Sequence, residues 1–214
     1  MTILELEIKN YEEVMQLSYK IESTERLRKP GAEMETKALL YLMNFREDSD
    51  EIHYFVVDLF NDLTGMDRAS SKLWDMQSKG ASNSSPKSIG KELVTLYKNY
   101  LSDLVFSYLI LFMGGVSNTV RIDNSKNLFG IENIKTDALK KVIEGLKEES
   151  DAKTYIDSSK ITDASINAFL ENVIFVIDNK SPSEYVKAII KDHPHIIPED
   201  KVLNAIFNEI RDEQ

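Results

Sequence analysis

A near-continuous apolar run from Leu104 to Met113, stopped by Gly114 and Gly115, constrains the fold of this chain most strongly. The run is rich in Val, Phe, Ile and Leu, which predicts a strand that is buried on both faces. It is shorter than the roughly 18 residues that a spanning helix needs, so we expect no membrane passage. A fully buried strand belongs in a sheet that other layers cover, which favours an α/β fold.

The residues before this run predict a helix, a hairpin and a crossover helix. Apolar residues recur every three or four positions from Ala32 to Phe45, which predicts the first helix. The pattern then predicts a strand from His53 to Leu63, a turn from Thr64 to Ser71 and a second strand from Lys72 to Lys79, paired as an antiparallel hairpin. Helical spacing returns from Ser88 to Tyr100. This order predicts an α/β fold with a small mixed β-sheet flanked by helices.

The second half of the chain is predicted to be mainly helical. Helices are predicted at 136–146, 163–170, 183–191 and 199–210, a short strand at 173–177, and a further amphipathic helix at 10–27. The chain has only 8 glycines and 5 prolines, which favours long helices and few turns. We expect a single domain over residues 1–214, with a core at about 28–115 and a mainly helical, acidic C-terminal portion at about 134–214.

The charge of the chain is unevenly distributed. The formal net charge is −10, which argues against a general polyanion binder, because nucleic-acid affinity comes largely from cations meeting phosphates. Between Arg68 and Lys98, however, six cations outnumber two acids, whereas from Glu144 onward eight cations face fifteen acids. A polyanion is therefore expected to bind the middle of the chain.

The chain contains no cysteine, which excludes disulfides, thiolate zinc sites and cysteine nucleophiles. This composition is compatible with a reducing cytoplasm, which is the location we expect. The first residues carry acids within their apolar stretch and no basic leader, so no secretion signal is predicted. The serines lack a Gly-x-Ser-x-Gly context, and no phosphate-binding loop follows Gly114-Gly115.

Polar residues line one face of each predicted hairpin strand. Because residues two apart in a strand share a face, Asp58, Phe60 and Asp62 are expected to point one way on the first strand. On the second strand, the same rule groups Asp75, Gln77 and Lys79, with Trp74 and Met76 on the opposite, core-facing side.

Pairing of the hairpin would bring Asp62 close to Asp75, Gln77 and Lys79. Two carboxylates, an amide oxygen and an ammonium group then converge. Oxygen donors of this kind suit Mg²⁺ or Mn²⁺, and an adjacent lysine can stabilise developing phosphate charge or orient water. The set predicts a phosphodiester hydrolase, although an exposed strand face with alternating charges would carry the same residue types.

Asp62 followed by Gln77-Ser-Lys79 resembles the PD-(D/E)XK nuclease superfamily, in the variant in which glutamine replaces the second acid. The helix that opens with Gly31-Ala-Glu33-Met-Glu35 is similar to the acidic helix before the catalytic hairpin of Mrr-like members. The resemblance implies a restriction-endonuclease-like fold. It makes Glu35 the helix carboxylate, Asp62 the main metal ligand, Gln77 a ligand through its amide oxygen and Lys79 the catalytic lysine.

Within the superfamily, the segment Asp58 to Leu63 followed by Gln-x-Lys most resembles the double-stranded DNA nuclease domains of bacterial anti-phage defence proteins. The resemblance implies a Mg²⁺- or Mn²⁺-dependent DNA endonuclease with Asp75 as an extra candidate ligand, and a protein partner or a homo-oligomer for activation. The residues expected to hold the DNA backbone are Lys72, Lys87, Lys91 and Arg28. The alternative is a noncatalytic subunit that keeps the nuclease fold for the assembly of a defence complex.

Two of these motifs have simpler interpretations. Glu33 and Glu35 also suit the first turn of a helix, where acids are favoured by the helix dipole. Asp192, His193 and His195 lie close together in the sequence, but adjacent prolines favour an ordinary loop over a metal site there.

Overall fold

The computed structural model describes residues 29–190 and 199–213, which form seven α-helices around a six-stranded sheet. The helices are α1 (Lys29–Asn44), α2 (Pro86–Glu92), α3 (Val94–Tyr100), α4 (Thr136–Asp151), α5 (Asp163–Glu171), α6 (Pro182–Ile190) and α7 (Asp200–Glu213). The strands are β1 (Tyr54–Val57), β2 (Leu63–Met66), β3 (Leu73–Lys79), β4 (Tyr108–Met113), β5 (Leu128–Phe129) and β6 (Val173–Ile177). The helix predicted at 10–27, Arg28 and the Asp192–His195 segment lie outside the described residues.

The sheet is mixed, with the strand order β1-β2-β3-β4-β6-β5. Strand β2 is antiparallel to both of its neighbours, β1 and β3. Strands β3, β4 and β6 run parallel, and the short β5 closes the far edge antiparallel to β6. Helices α2 and α3 form the crossover from β3 to β4. The prediction of a mixed α/β fold with flanking helices and a helical C-terminal portion is confirmed.

The prediction of one long strand from His53 to Leu63 is wrong. The chain forms two strands there, β1 and β2, joined by a tight turn at 58–62 in which the N–H of Asp58 donates to the carbonyl of Asp62. Asp58 has a φ of 57°, a left-handed conformation that aspartate tolerates better than most residues. The carboxylates of Asp58 and Asp62 therefore do not share a strand face.

The predicted turn at Thr64 and Gly65 lies inside β2. Packing favours glycine at position 65, because a Cβ atom would lie 3.1 Å from side-chain carbons of both Leu42 and Ile52, closer than an ordinary van der Waals contact. Glycine therefore allows α1 to approach the sheet closely, and the actual turn between β2 and β3 begins at Asp67.

Each face of the sheet supports its own hydrophobic core. Helices α2 to α5 pack on the face that carries Leu109 and Leu111, and α1, α6 and α7 pack on the face that carries Trp74 and Ile110. Trp74 is fully buried, as predicted. Within the described residues, no helix is long and apolar enough to cross a lipid bilayer.

Helices α2 and α4 pack with their backbones in direct contact. A Cβ atom on Gly90 would lie 2.0 Å from the carbonyl oxygen of Val142, and one on Gly145 would lie 2.1 Å from that of Lys87. Only glycine permits this approach. The acidic α4 is consequently held against the helix that leads away from β3.

Candidate active site

One face of β3 carries three polar side chains, Asp75, Gln77 and Lys79, which we call the β3 row. They share a face because strand side chains alternate, as the sequence predicts. Each contacts a side chain of the crossover helices, namely Asn99, Thr95 and Glu92 respectively. The crossover helices therefore fix the conformation of the row.

Asp62 lies next to this row, at the point where β2 begins. Its carboxylate accepts hydrogen bonds from the Gln77 side-chain nitrogen at 2.9 and 3.0 Å, and from the backbone N–H and the hydroxyl of Ser78 at 2.7 Å each. The register of β2 and β3 explains this contact, since Leu63 pairs with Met76 and the preceding residue therefore lies beside Gln77. The structure brings Asp62 and Gln77 together.

The amide of Gln77 presents its nitrogen, not its oxygen, to Asp62. Its oxygen accepts a hydrogen bond of 2.9 Å from the hydroxyl of Thr95. A carboxylate only accepts hydrogen bonds, so it selects this orientation of the amide. The resemblance implies the opposite one, with the amide oxygen beside the carboxylate.

Lys79 forms an ion pair with Glu92, with 3.0 Å between Nζ and Oε1. The side chains are 44% and 25% exposed, so both remain accessible to solvent. Glu92 ends α2 and places its carboxylate beside the lysine. Sequence reasoning missed it, because helical spacing does not show which side chain of the crossover helix reaches Lys79.

Asp75 is fully buried behind the site. Its Oδ2 atom accepts hydrogen bonds from the amides of Asn61 at 2.7 Å and Asn99 at 2.6 Å, and its Oδ1 atom is buried without a partner. Burial raises the pKa of this carboxyl to about 7, and the two amides only partly oppose that shift. Since Asn61 and Phe60 belong to the turn before β2, and Asn99 also donates to the Phe60 carbonyl, Asp75 positions that turn.

Glu35 lies on α1, on the opposite side of the sheet from the β3 row. The first turns of α1 do reach the end of the central strands, because Met34 approaches Gly114, whose N–H donates to the Lys79 carbonyl. The carboxylate of Glu35 lies back along its own helix, 3.3 Å from the position of a Cβ on Gly31. Glu33 forms an ion pair with Lys37.

The lysines predicted to hold DNA are engaged with acids. Lys72 bonds to Glu51 at 2.6 Å at the start of β3, about 23 Å from the end that carries Lys79 at about 3.3 Å per residue. Lys87 and Lys91 lie on α2, closer to the site. They form ion pairs with two glutamates of α4, Glu144 and Glu148, which raise the pKa of Lys87.

The oxygen donors of this site suit a hard divalent cation. In the part of the chain that the structure describes, no group of three or more His, Asp and Glu side chains converges. Mg²⁺ nevertheless commonly uses one or two carboxylates and completes its shell with water and substrate phosphate. Asp62 and the Gln77 amide fit that requirement once the amide presents its oxygen, and Glu92 is a nearby second carboxylate.

Comparisons of this chain with protein-family models, with curated proteins and with solved structures found no match.

Proposed function

We propose that this protein is a Mg²⁺- or Mn²⁺-dependent deoxyribonuclease that hydrolyses phosphodiester bonds. The observation that carries the proposal is the hydrogen-bonded pair of Asp62 and Gln77, which lies beside the strand end that carries Lys79. The order of helix, antiparallel strands, crossover helices and parallel strand supports it, because the PD-(D/E)XK resemblance implies that order.

Each residue has a distinct role in this proposal. The carboxylate of Asp62 and, after its amide turns, the oxygen of Gln77 would hold the cation, which when bound would offset negative charge on the scissile phosphate. The ammonium group of Lys79 steadies the developing charge of the phosphate and orients the attacking water. Glu92 holds that ammonium group in place through their 3.0 Å contact.

The substrate and setting follow from the resemblance. We propose double-stranded DNA as the substrate, the bacterial cytoplasm as the location and anti-phage defence as the process, with a protein partner or a second copy of the chain as activator. The net charge of −10 makes an activating partner reasonable, because a free chain of this charge attracts DNA weakly.

Incubation of the purified chain with supercoiled plasmid tests the proposal. We expect nicked and linear DNA with Mg²⁺ or Mn²⁺ and intact plasmid when a chelator is added. Intact plasmid under all of these conditions, with the protein folded and concentrated enough to self-associate, would contradict a free nuclease.

The second candidate is a noncatalytic subunit with the same fold. The amide nitrogen of Gln77 facing Asp62 favours it, since that orientation satisfies the carboxylate without a cation. The paired lysines of α2 also favour it. Stable co-purification with a partner, together with no cleavage by the complex, would support this candidate.

Glutamates of α4 are expected to weaken DNA binding by the lysines of α2. The double substitution Glu144→Gln and Glu148→Gln should raise DNA affinity several-fold at low salt and steepen the salt dependence of binding. Without the two glutamates, Lys87 and Lys91 become available to DNA phosphates. The gain should stay modest, since exposed ion pairs are weak. Fluorescence anisotropy with a DNA duplex at two salt concentrations measures both effects.

The matched control is a double change of Glu171 and Glu209 to glutamine, which removes the same charge from exposed positions on α5 and α7. Equal gains in the two double variants would show that net charge, and not the release of Lys87 and Lys91, determines binding.

A further inference from the structure

The side-chain amide of Gln77 lies between two partners of different chemistry. On one side is the carboxylate of Asp62, which receives both short hydrogen bonds from the nitrogen. On the other is the hydroxyl of Thr95, a residue of α3, which donates to the oxygen at 2.9 Å. Both ends of the amide are therefore satisfied in the described structure.

A divalent cation at Asp62 would require the opposite arrangement. Cations of this class take oxygen ligands, and an amide nitrogen that carries two hydrogens has no lone pair to offer. Gln77 can join Asp62 as a ligand only if its amide turns by half a revolution about its terminal C–C bond. That rotation brings the nitrogen to Thr95.

Thr95 can serve both arrangements because a hydroxyl group both donates and accepts. We propose that Thr95 is a positioning residue for Gln77. Without the cation, its hydroxyl donates a hydrogen bond to the Gln77 oxygen. With the cation, the hydroxyl accepts a hydrogen bond from the Gln77 nitrogen. The inference rests on the proposed function, since it assigns the second ligand of that same cation site. Thr95 acts through Gln77 and contacts neither the cation nor DNA.

The two arrangements do not depend equally on the hydroxyl. Without the Thr95 hydroxyl, the cation-free form leaves the Gln77 side-chain oxygen without this partner. The cation-bound form instead leaves an N–H group of the Gln77 amide without it. Among buried backbone groups, orphaned N–H groups are rarer than under-satisfied carbonyls, and we apply the same order to this side-chain amide. Loss of the hydroxyl should therefore penalise the cation-bound form more and weaken cation affinity.

Titration of the ¹⁵N-labelled 214-residue chain with MgCl₂ tests this inference by NMR. The side-chain NH₂ signals of Gln77, identified by their absence in Q77E, should shift with Mg²⁺ and saturate. Thr95→Ser keeps the hydroxyl and should bind Mg²⁺ within about twofold of the wild type. Thr95→Val keeps the shape and should bind about five- to tenfold more weakly, while its backbone spectrum stays that of a folded protein.

Three outcomes would overturn the inference. If Mg²⁺ binding to the wild type saturates while the Gln77 amide signals stay in place, the Gln77 amide does not rotate when the cation binds. This outcome can be read from the wild type alone. Equal Mg²⁺ affinity of Thr95→Val and wild type removes the role of the hydroxyl, even if the wild type cleaves DNA. Absence of saturable Mg²⁺ binding to the wild type would overturn both the inference and the proposed function.

Discussion

Lys79→Ala and Asp62→Asn are each expected to lower metal-dependent DNA cleavage by at least about 10²–10³-fold while leaving the chain folded. Under the proposed function, Lys79→Ala removes the ammonium group assigned to the substrate phosphate, and the half-exposed Lys79 side chain supports little packing. Asp62→Asn removes the charge assigned to attracting the cation. Asparagine is preferred to alanine at this position, because its amide oxygen still accepts hydrogen bonds from Ser78.

Matched variants separate chemistry from general charge effects. Lys141→Ala and Asp151→Asn remove the same charges from exposed positions on α4 and should cleave plasmid at the wild-type rate. Circular dichroism and thermal unfolding of all four variants report whether each is folded. Wild-type cleavage by either site variant would refute its assigned role, and loss of cleavage in a control would assign the effect to net charge.

The predicted hairpin placed Asp62 and Gln77 on neighbouring strands, but with the wrong register between them. The sequence pattern identified β3 correctly, because its alternating polar and apolar residues follow the two-residue period of a strand. With the predicted turn from Thr64 to Ser71, Asp62 would lie opposite Leu73, at the start of β3. Asp62 reaches Gln77 instead because Leu63 to Met66 form β2 and the turn begins at Asp67.

The other members of the site could not be predicted from local pattern. Thr95 and Glu92 reach the β3 row only because the crossover helices dock on that face of the sheet, which depends on long-range packing. The pairing of Lys87 with α4 depends on the close contact at Gly90 and Gly145. Sequence spacing reports which face a residue occupies, but not which helix covers that face.

The second large expected effect is a pH dependence of the free energy of unfolding that arises from Asp75. Burial raises its pKa from 3.8 to about 7, so between these values the folded chain keeps a proton that the unfolded chain releases. The free energy of unfolding therefore falls as the pH rises through this range and stops changing from this cause above about pH 7. One pKa unit corresponds to about 1.4 kcal/mol, which gives a decrease of about 2 kcal/mol between pH 5.5 and pH 7.

Asp75→Asn should remove this decrease, because asparagine stays neutral at every pH while its oxygen still accepts from Asn61 and Asn99. Urea unfolding at pH 5.5, 6.5, 7.5 and 8.5 measures the difference. The variant should gain stability relative to the wild type as the pH rises. Asp67→Asn is the control, since hydrogen bonds lower the pKa of Asp67 and keep it ionised in this window. Parallel curves for Asp75→Asn and wild type would mean that Asp75 is already charged at pH 5.5, and its amide partners would then have to compensate for the full cost of burying that charge.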